Sequence, residues 1–217
     1  MVTGVQTCAL PIYCDGVILN SNFQKIEAYR NTALNYGATK DQADELVQYH
    51  IKLTGISRYV KFKYFLREIM GEKVLDFSMN KLVKNLNDEV INLLKNCEIT
   101  SGIKELKSKT LQSTWMIASG GDQEELRFLF KEKNIDSYFE GGIYGSPASK
   151  HEIIEEKLKD KNFLPALFLG DSLYDIQTAK KYNLDFIFVY GWTDLNDWER
   201  VCNKNKLTYI EKIHDLI

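Results

Sequence analysis

The chain has 217 residues, 44% of them hydrophobic, and 28 Lys+Arg against 30 Asp+Glu for a net charge of -2, which suffices for one or two domains with a real core and supplies no global basic field for nucleic acid or a membrane surface. Four scattered cysteines (Cys8, Cys14, Cys97, Cys202) without a C-x-x-C pair, and three histidines far apart (His50, His151, His214), argue against a disulfide framework, a zinc site or a His-based metal cluster, and for a reducing compartment. The longest apolar runs, FLPALFLG and LDFIFVYG, are too short to span a bilayer, and no basic residue precedes the apolar part of the N-terminus, so a cytoplasmic protein without a signal peptide is expected.

Helical patterning begins after YCDGVILNSN. The run NFQKIEAYRNTALNYG puts Phe23, Ile26, Ala33 and Leu34 near one helix face, and Gly37 stops it. Thr39 and Gln42 have capping-box spacing, and Ala43, Leu46, Val47 and Ile51 follow as a stripe ending at Gly55. SRYVKFKYFLREIMG and SMNKLVKNLNDEVINLLKN read as two more helices. After Ser101 the style changes. STWMIAS, PALFLG and LDFIFVY are short, nearly continuous apolar runs, as expected of parallel strands covered on both faces. They predict neighbouring strands near 113–119, 165–170 and 185–190, separated by helices over 122–133, 149–159 and 172–182. Asp122 and Glu125 again have capping spacing. This alternation implies an α/β fold with a doubly wound parallel sheet, which binds ligands at the carboxyl ends of its strands. The all-helical block, about residues 21–100, then reads as a cap inserted into a core made of 13–20 and 101–217.

Polar residues stand where such a sheet would bind a ligand: Asp15 in CDGV, Ser119 after TWMIA, Lys150 in GSPASKHE, Asp171 and Asp175 in GDSLYD. Phosphoryl transfer needs such parts: carboxylates for Mg²⁺, a lysine against phosphate charge, a hydroxyl with backbone N–H groups, a carboxylate that attacks phosphorus and a neighbour that shuttles the proton. Singly, each has a plainer reading. Ser119, or Asp171-Ser172, could cap a helix, Lys150 could be a solvated helix residue, and Asp175 could lie at the surface. Their order along the chain, and GDSLYD directly after a buried strand, favour the joint reading.

The set resembles the haloacid dehalogenase superfamily of hydrolases, with a helical cap of the phosphoglycolate-phosphatase type, from about Tyr13 to the end. The resemblance implies a Rossmann-like core, Mg²⁺ as cofactor and hydrolysis of a small phosphorylated metabolite through an aspartyl-phosphate. It puts Tyr13 at the position of the nucleophilic Asp and Asp15 at that of the general acid/base, whose backbone carbonyl also binds metal. Ser119 corresponds to the phosphoryl-binding hydroxyl, with Gly120 beside it, and Lys150 to the motif lysine. Asp171 corresponds to a metal ligand, and Asp175 to one acting through water. The same fold houses sugar-phosphate mutases, and a non-catalytic phosphate-ligand-binding protein with a genuine Tyr13 stays open beside both. The dehalogenase branch, which needs neither Asp15 nor Mg²⁺, is disfavoured. In GISRYVKFKYF the plain reading is an amphipathic helix with snorkelling cations. The sharper one has Arg58 reaching in to read a substrate anion. A monomer or weak homodimer is expected.

Residues 2–12, VTGVQTCALPI, resemble the translation of a widely used DNA-sequencing adapter. Tyr13 fits a junction at which the adapter's T replaces the leading G of an Asp codon. The expectation is therefore a foreign leader over 1–12, a parent with Asp at position 13, and little turnover by the chain as written. Pro11 cannot donate to a ladder, so CALPIY is expected to imitate the missing first strand only in part, with the rest of the leader poorly packed.

Overall fold

The computed structural model describes residues 16–160 and 163–217, and residues 10–12 by their backbone. One six-stranded parallel sheet organises the core: β1 (Leu10–Ile12), β2 (Trp115–Asp122), β3 (Ile143–Ser146), β4 (Leu167–Gly170), β5 (Asp185–Val189) and β6 (Thr208–Ile210), in the order β3-β2-β1-β4-β5-β6. The three anticipated runs form β2, β4 and β5. The short strands β3 and β6 carry no run long enough to announce them.

The strand order reverses direction around β1, which pairs with β2 on one side and β4 on the other. That topological switch point is where such a sheet opens a ligand crevice. Pro11 stands in register with Met116 within β1, so residues 10–12 take the place of the expected first strand. Residues 1–9 of the leader, and with them the expectation of poor packing, lie outside the described residues, as do Tyr13, Cys14 and Asp15.

Helices α1 (Asn22–Tyr36), α2 (Lys40–Lys52), α3 (Arg58–Tyr64, continued by a π turn at Phe65–Ile69) and α4 (Asp76–Leu94) form the cap. Its two linkers run antiparallel: Leu19 bridges Ile99, Asn20 N–H donates to the Glu98 carbonyl (2.9 Å), and Thr100 N–H to that of Ile18 (2.9 Å). Thr39 and Gln42 close the capping box of α2, and Gly37, at φ 116°, ends α1 in the left-handed region.

The face expected for α1 is corrected. Phe23 and Leu34 are 73% and 39% exposed, and the buried face is Asn22, Lys25, Ala28, Tyr29, Thr32 and Ala33. This stripe has helical spacing, but its first turn is polar, so a search for apolar residues picks the wrong side.

The remaining helices are α5 (Ile103–Lys109), α6 (Gln123–Glu132), α7 (Lys150–Leu158), α8 (Leu173–Tyr182) and α9 (Trp198–Asn205). Asp122, Ser149 and Ser172 each accept backbone N–H bonds at the starts of α6, α7 and α8, which fixes those helices directly after strand ends. Among the described residues no helix is long and apolar enough to cross a membrane.

Candidate active site

Strand β4 delivers GDSLYD to the carboxyl edge of the sheet. Ser172 caps α8 and Asp175 completes its capping box, which turns the Asp175 carboxylate back toward the strand end. Asp175 Oδ2 accepts from Asp171 N–H (3.3 Å), Ser172 N–H (3.2 Å) and Ser172 Oγ–H (2.7 Å), and its Oδ1 accepts from Lys150 Nζ. Both side chains of the Lys150–Asp175 pair are fully buried, so neither is a solvated helix residue. Asp175 thus spends both oxygens on positioning Lys150 and the 171–172 backbone.

Asp171 is fully buried. Its Oδ2 accepts from Asn22 Nδ2 (2.9 Å), its backbone carbonyl accepts from Thr193 Oγ1 (2.6 Å), and Oδ1 has no hydrogen-bond partner among the described residues. Burial, then the carboxylates of Asp175 and Asp194, hold its pKa well above the ordinary range, against the pull of Asn22 and Lys150. The carboxylate packs on the backbone next to Asp15: a Cβ on Gly16, whose φ is +73°, would lie 1.9 Å from Asp171 Oδ2. Only glycine fits there.

Ser119 is buried within β2, and its Oγ accepts from Gly121 N–H (3.0 Å), which folds SGG into a turn. The helix cap is Asp122 instead, through bonds from Glu124 and Glu125 N–H. Gly120 has a steric reason of its own: a Cβ there would meet the Gly55 carbonyl oxygen at 2.5 Å. The cap loop rests on this turn. Ser57 and Ser146 hydroxyls meet at 2.8 Å, Ser146 Oγ donates to the Gly120 carbonyl (2.9 Å), and Thr54 Oγ1 donates to Asp194 Oδ2 (2.7 Å).

The snorkelling reading of Arg58 is overturned. Its side chain is buried, bonded to Glu125 of α6 and Asn87 of α4, with Nε unpartnered among the described residues. Burial alone would lower its pKa, and the Glu125 carboxylate beside it raises it on balance. Arg58, Lys25, Lys61, His50 and Asn22 line a cavity together with Gly120 and Gly121. Lys61 Nζ and His50 Nδ1 are 2.9 Å apart, and the His50 ring stacks on Tyr29 with centroids 4.1 Å apart. Burial, then Lys61, Lys25 and Arg58, keep His50 neutral by pushing its pKa well below the usual value.

The structure thus brings Asp171, Lys150 and Asp175 into one network, sets Ser119 and Gly120 under the cap, and turns Arg58 inward. Sequence reasoning missed Asn22, Lys25, His50, Lys61, Thr193 and Asp194. The one available signal was the polar i, i+3 pair Asn22 and Lys25 directly after the CDGV loop.

Among the described residues no group of three His, Cys, Asp or Glu gathers as a metal site; Asp15 lies outside them. The unpartnered, buried Oδ1 of Asp171, among carboxylates, nonetheless suits a hard divalent cation.

Residues 14–189 match the model of the haloacid dehalogenase-like hydrolase family. No curated protein matches the chain. Among solved structures, β-phosphoglucomutase from Clostridium difficile is similar at 18% identity and a TM-score of 0.72, over 97% of this chain and 93% of that one. CbbY from Rhodobacter sphaeroides, in complex with phosphate, is similar at 16% identity and 0.72, over 96% and 95%. A phosphoglycolate phosphatase, so described, from Lactobacillus delbrueckii subsp. bulgaricus is similar at 18% identity and 0.68, over 97% and 96%. At such identities the likeness is one of fold.

Proposed function

The chain belongs to the haloacid dehalogenase-like hydrolases, and from that premise we propose that its intact parent is a Mg²⁺-dependent phosphatase for a small phosphorylated metabolite. The observation that carries the reading is the buried Lys150–Asp175 pair beside an Asp171 oxygen that, among the described residues, no group satisfies. A buried carboxylate oxygen left without a partner is costly unless a bound cation completes the set, and the Asp175 and Asp194 carboxylates nearby add to that cost.

Asp171 and the Asp15 carbonyl would hold Mg²⁺, with Asp175 acting through its neighbours. When bound, Mg²⁺ supplies positive charge to the phosphoryl oxygens. In the parent, the carboxylate of an Asp at position 13 attacks phosphorus. A bond to the leaving oxygen breaks as the acyl phosphate forms, and Asp15 gives that oxygen its proton. Asp15 then takes a proton from the water that releases phosphate and restores the Asp. Ser119 Oγ–H and the Gly120 backbone bind phosphoryl oxygens, and Lys150 offsets their charge. Arg58, fixed by Glu125 and Asn87 and lining the same cavity as Gly120, binds a second anionic group of the substrate.

In this chain Tyr13 stands at the nucleophile position. A phenol with a pKa of about 10 is mostly protonated at neutral pH and is longer than a carboxylate. The chain as written is therefore expected to be nearly inert, and its junction with residues 1–12 to be foreign. The test compares it with Tyr13→Asp on an aryl phosphate, with Mg²⁺ and with chelator. Only the substituted chain should turn over with Mg²⁺, the unsubstituted one being slower by about 10⁴–10⁶-fold. Equal rates would remove position 13 from the mechanism. A hexose phosphate isomerised without release of phosphate would move the assignment to a mutase. Binding of phosphorylated ligands without turnover by either chain would move it to a binding protein.

A further inference from the structure

We propose that Asn22 is a positioning residue for Asp171: from the first turn of the cap it holds one carboxylate oxygen so that the other stays open toward the cation site. The inference rests on the reading of Asp171 as a metal ligand.

Asn22 is the first residue of α1, yet its side chain is buried and does nothing for its own helix. Its Nδ2 donates to Asp171 Oδ2 (2.9 Å) and to the Trp192 carbonyl (2.8 Å). Both partners are acceptors, so the amide nitrogen, and not its oxygen, must face them. Both amide protons are thereby used. Only four residues, 18–21, separate Asn22 from the CDGV loop, and Asn22 Nδ2 lies 3.0 Å from where a Gly16 Cβ would be.

The same bonds close a ring. Trp192 is followed by Thr193, whose hydroxyl donates to the Asp171 carbonyl (2.6 Å) and accepts from Leu195 N–H (3.1 Å). Asp171 is therefore fixed at its side chain by the cap, at its carbonyl by the loop after β5, and at its N–H by Asp175. Among the described residues, Asn22 alone donates a side-chain hydrogen bond to the carboxylate. Without it both oxygens would lack a fixed partner, and the carboxylate could rotate about its Cβ–Cγ bond. Groups that orient a metal-binding side chain typically contribute 10–100-fold to metal affinity.

The test uses full-length Tyr13→Asp protein, with Mg²⁺ as the probe, followed by isothermal titration calorimetry and by thermal unfolding with and without the ion. Asp171→Asn should lose binding. Asn22→Ala should weaken it about 10–100-fold and shrink the Mg²⁺-induced rise in Tm, while Asn22→Ala added to Asp171→Asn should change binding no further. Asn22→Gln, which keeps both donors, should recover part of the affinity. A merely structural role would lower Tm equally with and without Mg²⁺ and leave the affinity unmoved, and that result overturns the inference while the metal reading stands. Unchanged Mg²⁺ binding by Asp171→Asn overturns the metal reading, and the inference with it. Should Asn22→Ala fail to fold, Asn22→Leu, of similar shape but without a donor, decides against the parent: equal affinity and an equal Mg²⁺-induced Tm shift in Asn22→Leu would mean that the amide serves folding alone, and weakened binding would uphold the inference.

Discussion

Arg58 of the cap and Glu125 of the core meet as a buried ion pair, Nη1 to Oε2 at 2.9 Å, with side chains 3% and 0% exposed. Taking one partner away strands the other charge in a site closed to water. Glu125→Ala is expected to cost about 3–5 kcal/mol, read from urea unfolding. Arg58→Met with Glu125→Leu should cost less than Glu125→Ala, because no lone charge is left behind. A double substitution as damaging as the sum of the singles would mean that the pair is not the source of the loss.

His50 sets a pH dependence with a definite sign. Burial first, then Lys61, Lys25 and Arg58, depress its pKa in the folded chain, while in the unfolded chain it takes up a proton below about 6.5. The unfolded state then holds more protons, so stability falls as pH falls below about 6.5, by at most about 1.4 kcal/mol per pH unit from this residue. His50→Gln keeps an acceptor for Lys61 and removes the titration. Urea midpoints at pH 5 and pH 7 should lie closer together in that variant than in the parent; an unchanged gap would place the pH dependence elsewhere.

Much of the fold is written locally, and most of the site is not. The strands β2, β4 and β5 announce themselves because both faces of a parallel sheet are buried, and the starts of α2, α6, α7 and α8 because their capping residues act within three positions. GDSLYD is legible for the same reason: Ser172 and Asp175 are bonded to their own neighbours. Asn22, Arg58 and His50 are not. Their partners lie 149, 67 and 11 residues away, and their roles depend on how the cap sits on the core. The buried side of α1 was misjudged because its first turn serves the site rather than a hydrophobic interior.

Gly120 should be the least tolerant position in the cap-to-core contact. A Cβ there meets the Gly55 carbonyl oxygen at 2.5 Å, its carbon at 3.0 Å and the Ile56 carbonyl carbon at 3.2 Å. These are backbone atoms and cannot swing aside as a side chain would, so the cap loop must lift and strain the Ser57–Ser146 bond with it. Gly120→Ala is expected to cost about 1–3 kcal/mol and to speed proteolysis at the linkers around Asn20 and Glu98. A variant with the parent's Tm and cleavage rate would mean that the loop does not rest on this turn in solution.

Asp171 is expected to weaken the metal-free chain that it serves. Its folded pKa is raised by burial and by Asp175 and Asp194, so its contribution to stability is greatest below its unfolded pKa and is lost as pH rises through the folded value. At neutral pH the residue is a cost, carried either as a buried charge or as a proton taken up against the solution pH. Asp171→Asn keeps the shape and an acceptor for Asn22 while removing the charge. In chelator at pH 8 it should be more stable than the parent by about 1–3 kcal/mol, the penalty of a buried group without its partner. Below about pH 3, where the carboxyl is protonated in the unfolded chain as well as in the folded one, the two should converge. Added Mg²⁺ should raise the Tm of the parent and leave the variant where it was, because a ligand stabilises only the state that binds it. Thermal unfolding at the two pH values, with chelator and with Mg²⁺, tests all three statements. A variant less stable than the parent in chelator at pH 8 would show that Asp171 is held for the fold and not in spite of it.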